Sequence, residues 1–342
     1  MLTLLYGTRR AREEIYRRIR RDTDGARRAY LIVPDQKALL AESELAAVLP
    51  PPAALYSDAV GFSRLANLVC RRYGGLTYNY ANDGAKALSM YRAAKQVRPM
   101  LKVFAGDIKP ATLTALCALC TEFRAAAVTP DDLAAAADRL SPAPLADKLR
   151  DLSLLFTAYE ALLHEHFAEQ TDDLDTLCDL LAVHDFFAGA AVYIDAFVSF
   201  TKQELTVIER MLSRGTDVTI ALPYARGGGV HLAECNDTRK RLIKLAARLG
   251  CAFDEQYTAD AEPDTGNPLD FAKAHIWDFS SDAVFSGTVG DALAVVCCTD
   301  RREEARLCAC EIFRAVSDGA AYSDIAVVMR NADDYAGILD RY

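Results

Sequence analysis

Short apolar runs separated by segments of helical periodicity dominate the first 85 residues. Residues 2–6, 29–33 and 55–62 are runs of β-forming apolar side chains. Between them, residues 7–23 have helical composition, and a second helix passing through Glu44-Leu45-Ala46 is stopped at Pro50-Pro51-Pro52. A third helix over 63–73 is ended by Gly74-Gly75. Runs that are apolar at every position, rather than at alternate ones, predict strands buried on both faces. Strands alternating with helices predict a parallel sheet covered on both sides.

The period changes at about residue 83. From there to 185, apolar residues recur at steps of three and four, most clearly Leu152, Leu155, Phe156, Tyr159, Leu162 and Leu163. Pro99, Pro110, Pro130, Pro142 and Pro144 divide the stretch into several helices, so an all-helical insertion is predicted. Strand signals return at 191–197 and 217–222, and residues 236–249 form a basic amphipathic helix. The sequence thus predicts a split α/β domain over 1–82 and 186–253, the helical insertion over 83–185, and an irregular crossing over 254–290. A second α/β unit over 291–342 follows, with strands at 292–298 and 325–330. Two strands cannot close a sheet, so the chain is expected to be part of a longer protein.

Charge modifies this picture locally. The chain has 48 acidic against 39 basic residues, a net −9, which argues against a surface that coats nucleic acid all round. Between Arg9 and Arg28, however, nine arginines face four acids, either a solvated helix face with internal pairs or a patch for phosphates or an acidic partner. The apolar opening is too short for a signal or membrane segment, so a cytoplasmic protein with reduced thiols is expected. Among the ten cysteines, Cys117-x₂-Cys120 has no second pair, and its helical spacing predicts core positions rather than metal ligands.

Candidate chemistry gathers at two strand ends. Val192-Tyr193-Ile194-Asp195 is a buried-strand pattern running into one carboxylate, placed where α/β sheets bind ligands. In a nucleotide triphosphatase such an Asp holds Mg²⁺ and the next residue is an acid; here it is Ala196. The other reading of Asp195 is a cap for the following helix. After the first strand, Gly7-Thr8-Arg9-Arg10-Ala11-Arg12-Glu13-Glu14 stands where a phosphate loop needs Gly-x₄-Gly-Lys-[Ser/Thr]. Gly7 fits, but Arg12, Glu13 and Glu14 replace the second glycine, the lysine and the hydroxyl, and two carboxylates facing a triphosphate would repel it. The loop Gly227-Gly228-Gly229 lacks a following lysine and hydroxyl and is given no phosphate role.

Several segments together carry a family resemblance. Gly7, Ile32-Val33-Pro34-Asp35-Gln36, Phe62-Ser63-Arg64-Leu65-Ala66, Glu122-Phe123-Arg124, Asp151-Leu152-Ser153 and Ile194-Asp195-Ala196-Phe197-x₂-Phe200-Thr201-x-Gln203-Glu204 are the first of them. With Arg301-Arg302-Glu303 and Asp324–Arg330, their order and spacing resemble the N-terminal part of the AddB family. These are the B subunits of RecBCD-like ATP-dependent helicase–nucleases.

The resemblance implies a RecA-like, superfamily 1 helicase architecture, in which a domain 1A is interrupted by a helical domain 1B and followed by the start of a domain 2A. It implies work in double-strand-break repair beside the A subunit, which carries motor and nuclease, on DNA ends and single-stranded DNA, without a membrane. Gly7, Arg12, Asp195 and Arg330 would mark a degenerate nucleotide site, with Arg330 at a γ-phosphate-sensing position. Gln36, Phe62, Ser63 and Arg64 would meet single-stranded DNA, with Phe62 stacking on a base. Against this, Gln36 would cap a helix, Phe62 would be core and Arg64 would pair with Asp58. The resemblance places the nuclease and its iron–sulfur cysteines outside these residues, so no catalytic residue, metal or cofactor is expected here; the family uses ATP and magnesium, and the departures at Arg12, Glu13 and Glu14 argue against them in this chain. The resulting expectation is a non-hydrolysing scaffold that guides DNA; an active motor and a purely structural interaction module are the rivals.

Overall fold

The computed structural model describes residues 1–7, 9–75, 80–140, 143–165, 170–223, 232–258, 266–277, 279 and 282–342. It divides into two compact units, Met1–Glu262 and Pro263–Tyr342. The glycine loop 227–229 lies outside the described residues.

The first unit is built on a six-stranded, all-parallel sheet. Its strands are β1 (Leu2–Tyr6), β2 (Ala29–Ile32), β3 (Ser57–Val60), β4 (Ala191–Ile194), β5 (Asp217–Leu222) and β6 (Phe253–Tyr257), in spatial order β3-β2-β4-β5-β1-β6. Register is fixed by pairs such as Ile32↔Ile194, Ile194↔Ile220 and Leu4↔Ile220. The chain runs outward from β1 to β3, returns to β4, and then proceeds through β5 to β6. The carboxyl ends of β1, β4 and β5 therefore flank the places where strand order reverses, which is where open α/β sheets form ligand crevices.

Alternation along each strand feeds two cores. Leu2, Leu4 and Tyr6 of β1, with Val192 and Ile194 of β4, face one side. That side is covered by α4 (Phe62–Tyr73), α9 (Gln170–Val183), α10 (Lys202–Ser213) and α11 (Ala233–Arg248). Leu5, Leu31 and Tyr193 face the other side, covered by α1 (Arg9–Asp24), α2 (Ala38–Val48) and α3 (Pro51–Ala54). Burial on both faces explains why the strands read as continuous apolar runs.

Helices α5 (Asp83–Val97), α6 (Pro110–Ala125), α7 (Pro130–Leu140) and α8 (Pro144–His164) share a separate core that includes Met90, Leu116, Cys120, Leu155, Phe156 and Tyr159. Cys117 and Cys120 lie on α6, one partly and one fully buried in that core. Asp151, only 1 % exposed on α8, accepts the backbone N–H groups of Lys102, Val103 and Phe104 and ties the loop after α5 to α8. Helix α9 falls within the stretch expected as an insertion, yet Leu177, Cys178 and Leu181 pack it on the sheet.

Two expectations are corrected. Residues 254–257, expected at the start of an irregular crossing, pair with β1 as part of β6. Their polar composition suits a strand at the edge of the sheet, where Glu255 is engaged by Arg239 at 2.7 Å and by the Tyr6 hydroxyl at 2.6 Å. In the second unit, α12 (Pro268–His275) and α13 (Arg301–Ser317) form, but 292–298 and 325–330 carry no strand pairing among the described residues. Val295 is 94 % and Val328 92 % exposed, so nothing covers the faces a buried strand requires.

Among the described residues no single helix is long and apolar enough to cross a membrane.

Candidate functional site

Of the sequence-predicted residues, Gly7, Arg12 and Asp195 line one surface of the first unit, Ser63 and Arg64 line another, Gln36 and Phe62 line neither, and Arg330 lies in the second unit.

The first surface is a cleft of about 480 Å³ at the carboxyl ends of β1, β4 and β5, lined by Gly7, Arg12, Lys37, Asp195, Ala196 and Phe197 among others. Strand β4 delivers Asp195 to its floor, 8 % exposed, with its backbone N–H donating to Ile32 O at 3.0 Å. Helix α1 delivers Arg12, whose Nε donates to Asp195 Oδ2 at 2.7 Å. Burial disfavours the Arg12 cation, but the Asp195 hydrogen bond and charge more than offset it and raise its pKa. Behind this pair, Tyr16 of α1 donates to Glu44 of α2, and burial followed by the Glu44 hydrogen bond pushes the Tyr16 phenol upward.

Backbone geometry at the cleft is specific. Gly7 has φ +141°, its N–H donates to Leu222 O at 3.2 Å, and a Cβ there would lie 2.1 Å from Thr258 Oγ1. Ala196 is held in the left-handed region, φ +67°, at a cost on the order of 1 kcal/mol for a residue with a Cβ. Helix α1 starts at Arg9, so two residues separate it from β1.

Glu13 and Glu14 do not face the cleft as expected. Glu14 is engaged by Arg17 and, at 2.7 Å, by Arg18, while Glu13 is exposed and does not line the cavity. Successive helical positions point about 100° apart, so residues that would wrap a phosphate as a loop fan out once they lie on a helix. Burial disfavours the Glu14 carboxylate, but its arginine partners hold its pKa below the usual range.

The second surface is an open depression of about 710 Å³ along the start of α4, lined by Asp35, Ser63, Arg64, Asn67, Leu68 and Arg71. Ser63 Oγ donates to Asp35 Oδ2 at 2.8 Å, and a Cβ on Gly61 would fall 1.7 Å from Asp35 Oδ1. Glycine at 61 is what allows the turn after β2 to meet the start of α4 so closely. Arg64, 56 % exposed, pairs with Glu42 at 3.2 Å, whereas Asp58, its expected partner, pairs with Arg28 at 2.7 Å. Gln36 is exposed in the short turn Asp35–Lys37 and caps no helix there.

Phe62 is not on this surface. It is 4 % exposed and packs edge-on against Phe197 at 5.6 Å, which in turn stacks on Phe200. Phe62 therefore links the start of α4 to the cleft wall and offers no face to a base. Arg330, the remaining predicted position, is exposed in the second unit, lining a cavity of about 380 Å³ with Arg301, Glu304 and Asp334.

Lys37, Asn67 and Arg71 escaped the sequence reading. Lys37 directly follows Pro34-Asp35-Gln36, and Arg71 lies seven residues past Arg64, two helical turns along the same face. Among the described residues, no group of three or more His, Cys, Asp or Glu is placed to hold a metal ion.

A known family described as "ADDB, N-terminal" matches residues 7–269. The chain belongs to that family. Among curated relatives, the B subunit of the ATP-dependent helicase/deoxyribonuclease of Desulforamulus reducens is 27 % identical over 96 % of this chain and 29 % of its own length. The protein of the same name in Acetivibrio thermocellus is 26 % identical over 99 % and 31 % respectively. That of Clostridium botulinum strain Langeland reaches 31 % identity over 61 % of this chain and 18 % of its own. The chain thus spans about 30 % of the length of the first two relatives.

Proposed function

We propose that this chain is the N-terminal, helicase-like part of the B subunit of an ATP-dependent helicase/deoxyribonuclease, working in double-strand-break repair in the cytoplasm beside a partner protein. Its fold is read as RecA-like, with α5–α8 inserted as a 1B-like helical domain. Its own nucleotide site is read as non-hydrolysing, so that the chain contributes a scaffold and a surface that guides DNA.

One observation carries this reading. Helix α1 begins two residues after β1 and turns Arg12 onto Asp195, the carboxylate a motor would use for magnesium. A phosphate cradle needs a longer glycine-rich loop whose N–H groups wrap the anion, and the Gly7 N–H already serves Leu222. With Asp195 engaged by a guanidinium and Ala196 in place of an acid, the residues present do not fit a magnesium–triphosphate complex or the activation of water. The α4 surface supplies the DNA-guiding part: Ser63, Arg64, Asn67 and Arg71 offer hydroxyl, amide and two guanidinium groups suited to a single-strand backbone.

Calorimetric titration with ATP and Mg²⁺ tests the non-hydrolysing reading. No binding is expected up to millimolar ATP, in the wild type or in Arg12→Ala, which frees Asp195 but restores no cradle. A dissociation constant well below 1 mM in the wild type would favour a working motor domain instead.

A further inference from the structure

Helices α10 and α11 leave a groove on the outside of the sheet that none of the readings above uses. It has a volume of about 380 Å³ and is lined by Lys202, Arg241, Lys244 and Arg248, with Glu209 as the one acid on its wall. The chain as a whole carries nine more acids than bases, so four cations against one carboxylate in the lining, with Asp132 within electrostatic reach of Lys202, is a local reversal. Glu209 is already taken, at 2.7 Å from Arg248. Lys202, Arg241 and Lys244 are all exposed, and no ion pair to an acid engages them among the described residues. Elsewhere in this unit arginines do find acids: Arg18 with Glu14, Arg28 with Asp58, Arg239 with Glu255.

The spacing of the charges narrows the ligand. Arg241, Lys244 and Arg248 fall at steps of three and four, one stripe along α11. At 1.5 Å rise per residue they span roughly 10 Å, the reach of two or three phosphates along a nucleic-acid strand. Between the charges the floor is Leu205, Thr206 and Leu245, with no aromatic ring lining it. A sequence-independent grip on duplex backbone needs only cations spaced along it, with no platform for bases.

We propose that the α10–α11 groove is a docking site for the phosphate backbone of double-stranded DNA, read without regard to sequence. The site is distinct from the α4 surface. It rests on the reading of the chain as a DNA-handling protein, and its test separates the two.

The test is fluorescence anisotropy of the full 342-residue chain with a blunt 30-bp duplex and with a single strand of the same length, each over a series of salt concentrations. Arg241→Gln with Lys244→Gln is expected to weaken duplex binding roughly a hundredfold at 50 mM salt and to lower the slope of log K against log salt by about 1.8, while single-strand binding holds. Glu209→Gln, which frees Arg248, should tighten duplex binding and steepen the slope. These side chains are exposed, so retained circular dichroism and melting temperature separate lost binding from lost fold. Arg64→Ala with Arg71→Ala is the opposite arm, expected to weaken single-strand binding only; its failure would sink the α4 reading and leave the groove standing. Wild-type chain that ignores the duplex, or a double variant with unchanged slope, overturns the groove proposal. So does loss of binding to a poly-glutamate peptide with duplex binding intact, which would assign the groove to an acidic protein.

Discussion

Asp151 offers the sharpest check on how the helical part is held together. Its carboxylate is almost fully buried and accepts Lys102 N at 3.0 Å on both oxygens, with Val103 N at 2.7 Å and Phe104 N at 2.9 Å on Oδ2. Three successive N–H groups thus converge on one carboxylate, and the loop they belong to has no regular structure of its own. Hydrogen bonds to a charged acceptor contribute roughly 1.5–3 kcal/mol each, and a buried donor left without an acceptor costs about 1–3 kcal/mol. Lys102 and Val103 are exposed as residues, so water can reach part of the vacated site and the full sum will not be realised. Asp151→Ala should therefore destabilise the α5–α8 core by about 2–4 kcal/mol, and Asp151→Asn, which keeps one acceptor oxygen, by about half that. The one tryptophan of the sequence, Trp277, belongs to the second unit, so the first has no tryptophan of its own to report on this core. Hydrogen-exchange mass spectrometry does report on it: amides 102–104 should exchange at least tenfold faster in the alanine variant, with α5 and α8 following and the β-sheet unaffected. Unchanged exchange at 102–104 would show that the carboxylate is not what orders this loop.

Two further outcomes follow from charge and burial. Burial raises the Cys178 thiol to about 11, which leaves ~10⁻³ of it as thiolate at pH 8 against roughly a quarter for an ordinary thiol; pulsed alkylation read by mass spectrometry should label exposed Cys297 and Cys310 at least a hundredfold faster, and equal rates would contradict the packing of α9 on the sheet. The Arg27 hydrogen bond, at 2.8 Å, lowers the Asp217 pKa, so this pair stabilises the fold fully above the carboxylate's unfolded value of about 3.9 and loses its effect as pH falls through the lower folded value. Urea midpoints of wild type and Asp217→Asn should differ at pH 6 and converge below pH 4; a gap independent of pH would refute the linkage.

How far the fold could be read from sequence depended on where each strand sits. β1, β2, β4 and β5 are buried on both faces, so their apolar runs carried the signal. β6 did not: as an edge strand it is Phe-Asp-Glu-Gln-Tyr, and only its pairing with β1 and the Arg239–Glu255 contact reveal it. The reverse error arose at Val295-Val296 and Val327-Val328, apolar pairs that lie outside any strand and uncovered. Apolar composition marks a capacity to be buried, and burial needs a neighbour that a local window does not contain. At the site, Asp195 was legible because a lone acid closing an apolar strand is conspicuous. Phe62 was legible as one of two readings, core or base-stacking, and its burial against Phe197, while Ser63 and Arg64 face outward on the same helix start, bears out the core reading.

On the proposed reading of the cleft as a nucleotide site that no longer hydrolyses, its two departures from a phosphate-binding loop differ in weight. The Arg12–Asp195 pair is short, but Arg12 is 38 % exposed, so after screening the pair contributes about 1 kcal/mol. A metal ion competing for Asp195 would lose roughly fivefold in affinity to it, a handicap that millimolar magnesium could overcome. The missing loop weighs more. A cradle gives a triphosphate several charge-assisted N–H bonds at roughly 1.5–3 kcal/mol each, and three of them amount to more than a thousandfold in affinity. With α1 starting at Arg9, the backbone that would supply them is already wound into a helix. Arg12 is then better understood as a consequence than as a cause. With α1 starting at Arg9, its first turns reach the floor of the cleft. A guanidinium there neutralises a carboxylate that the sheet still buries at the end of β4.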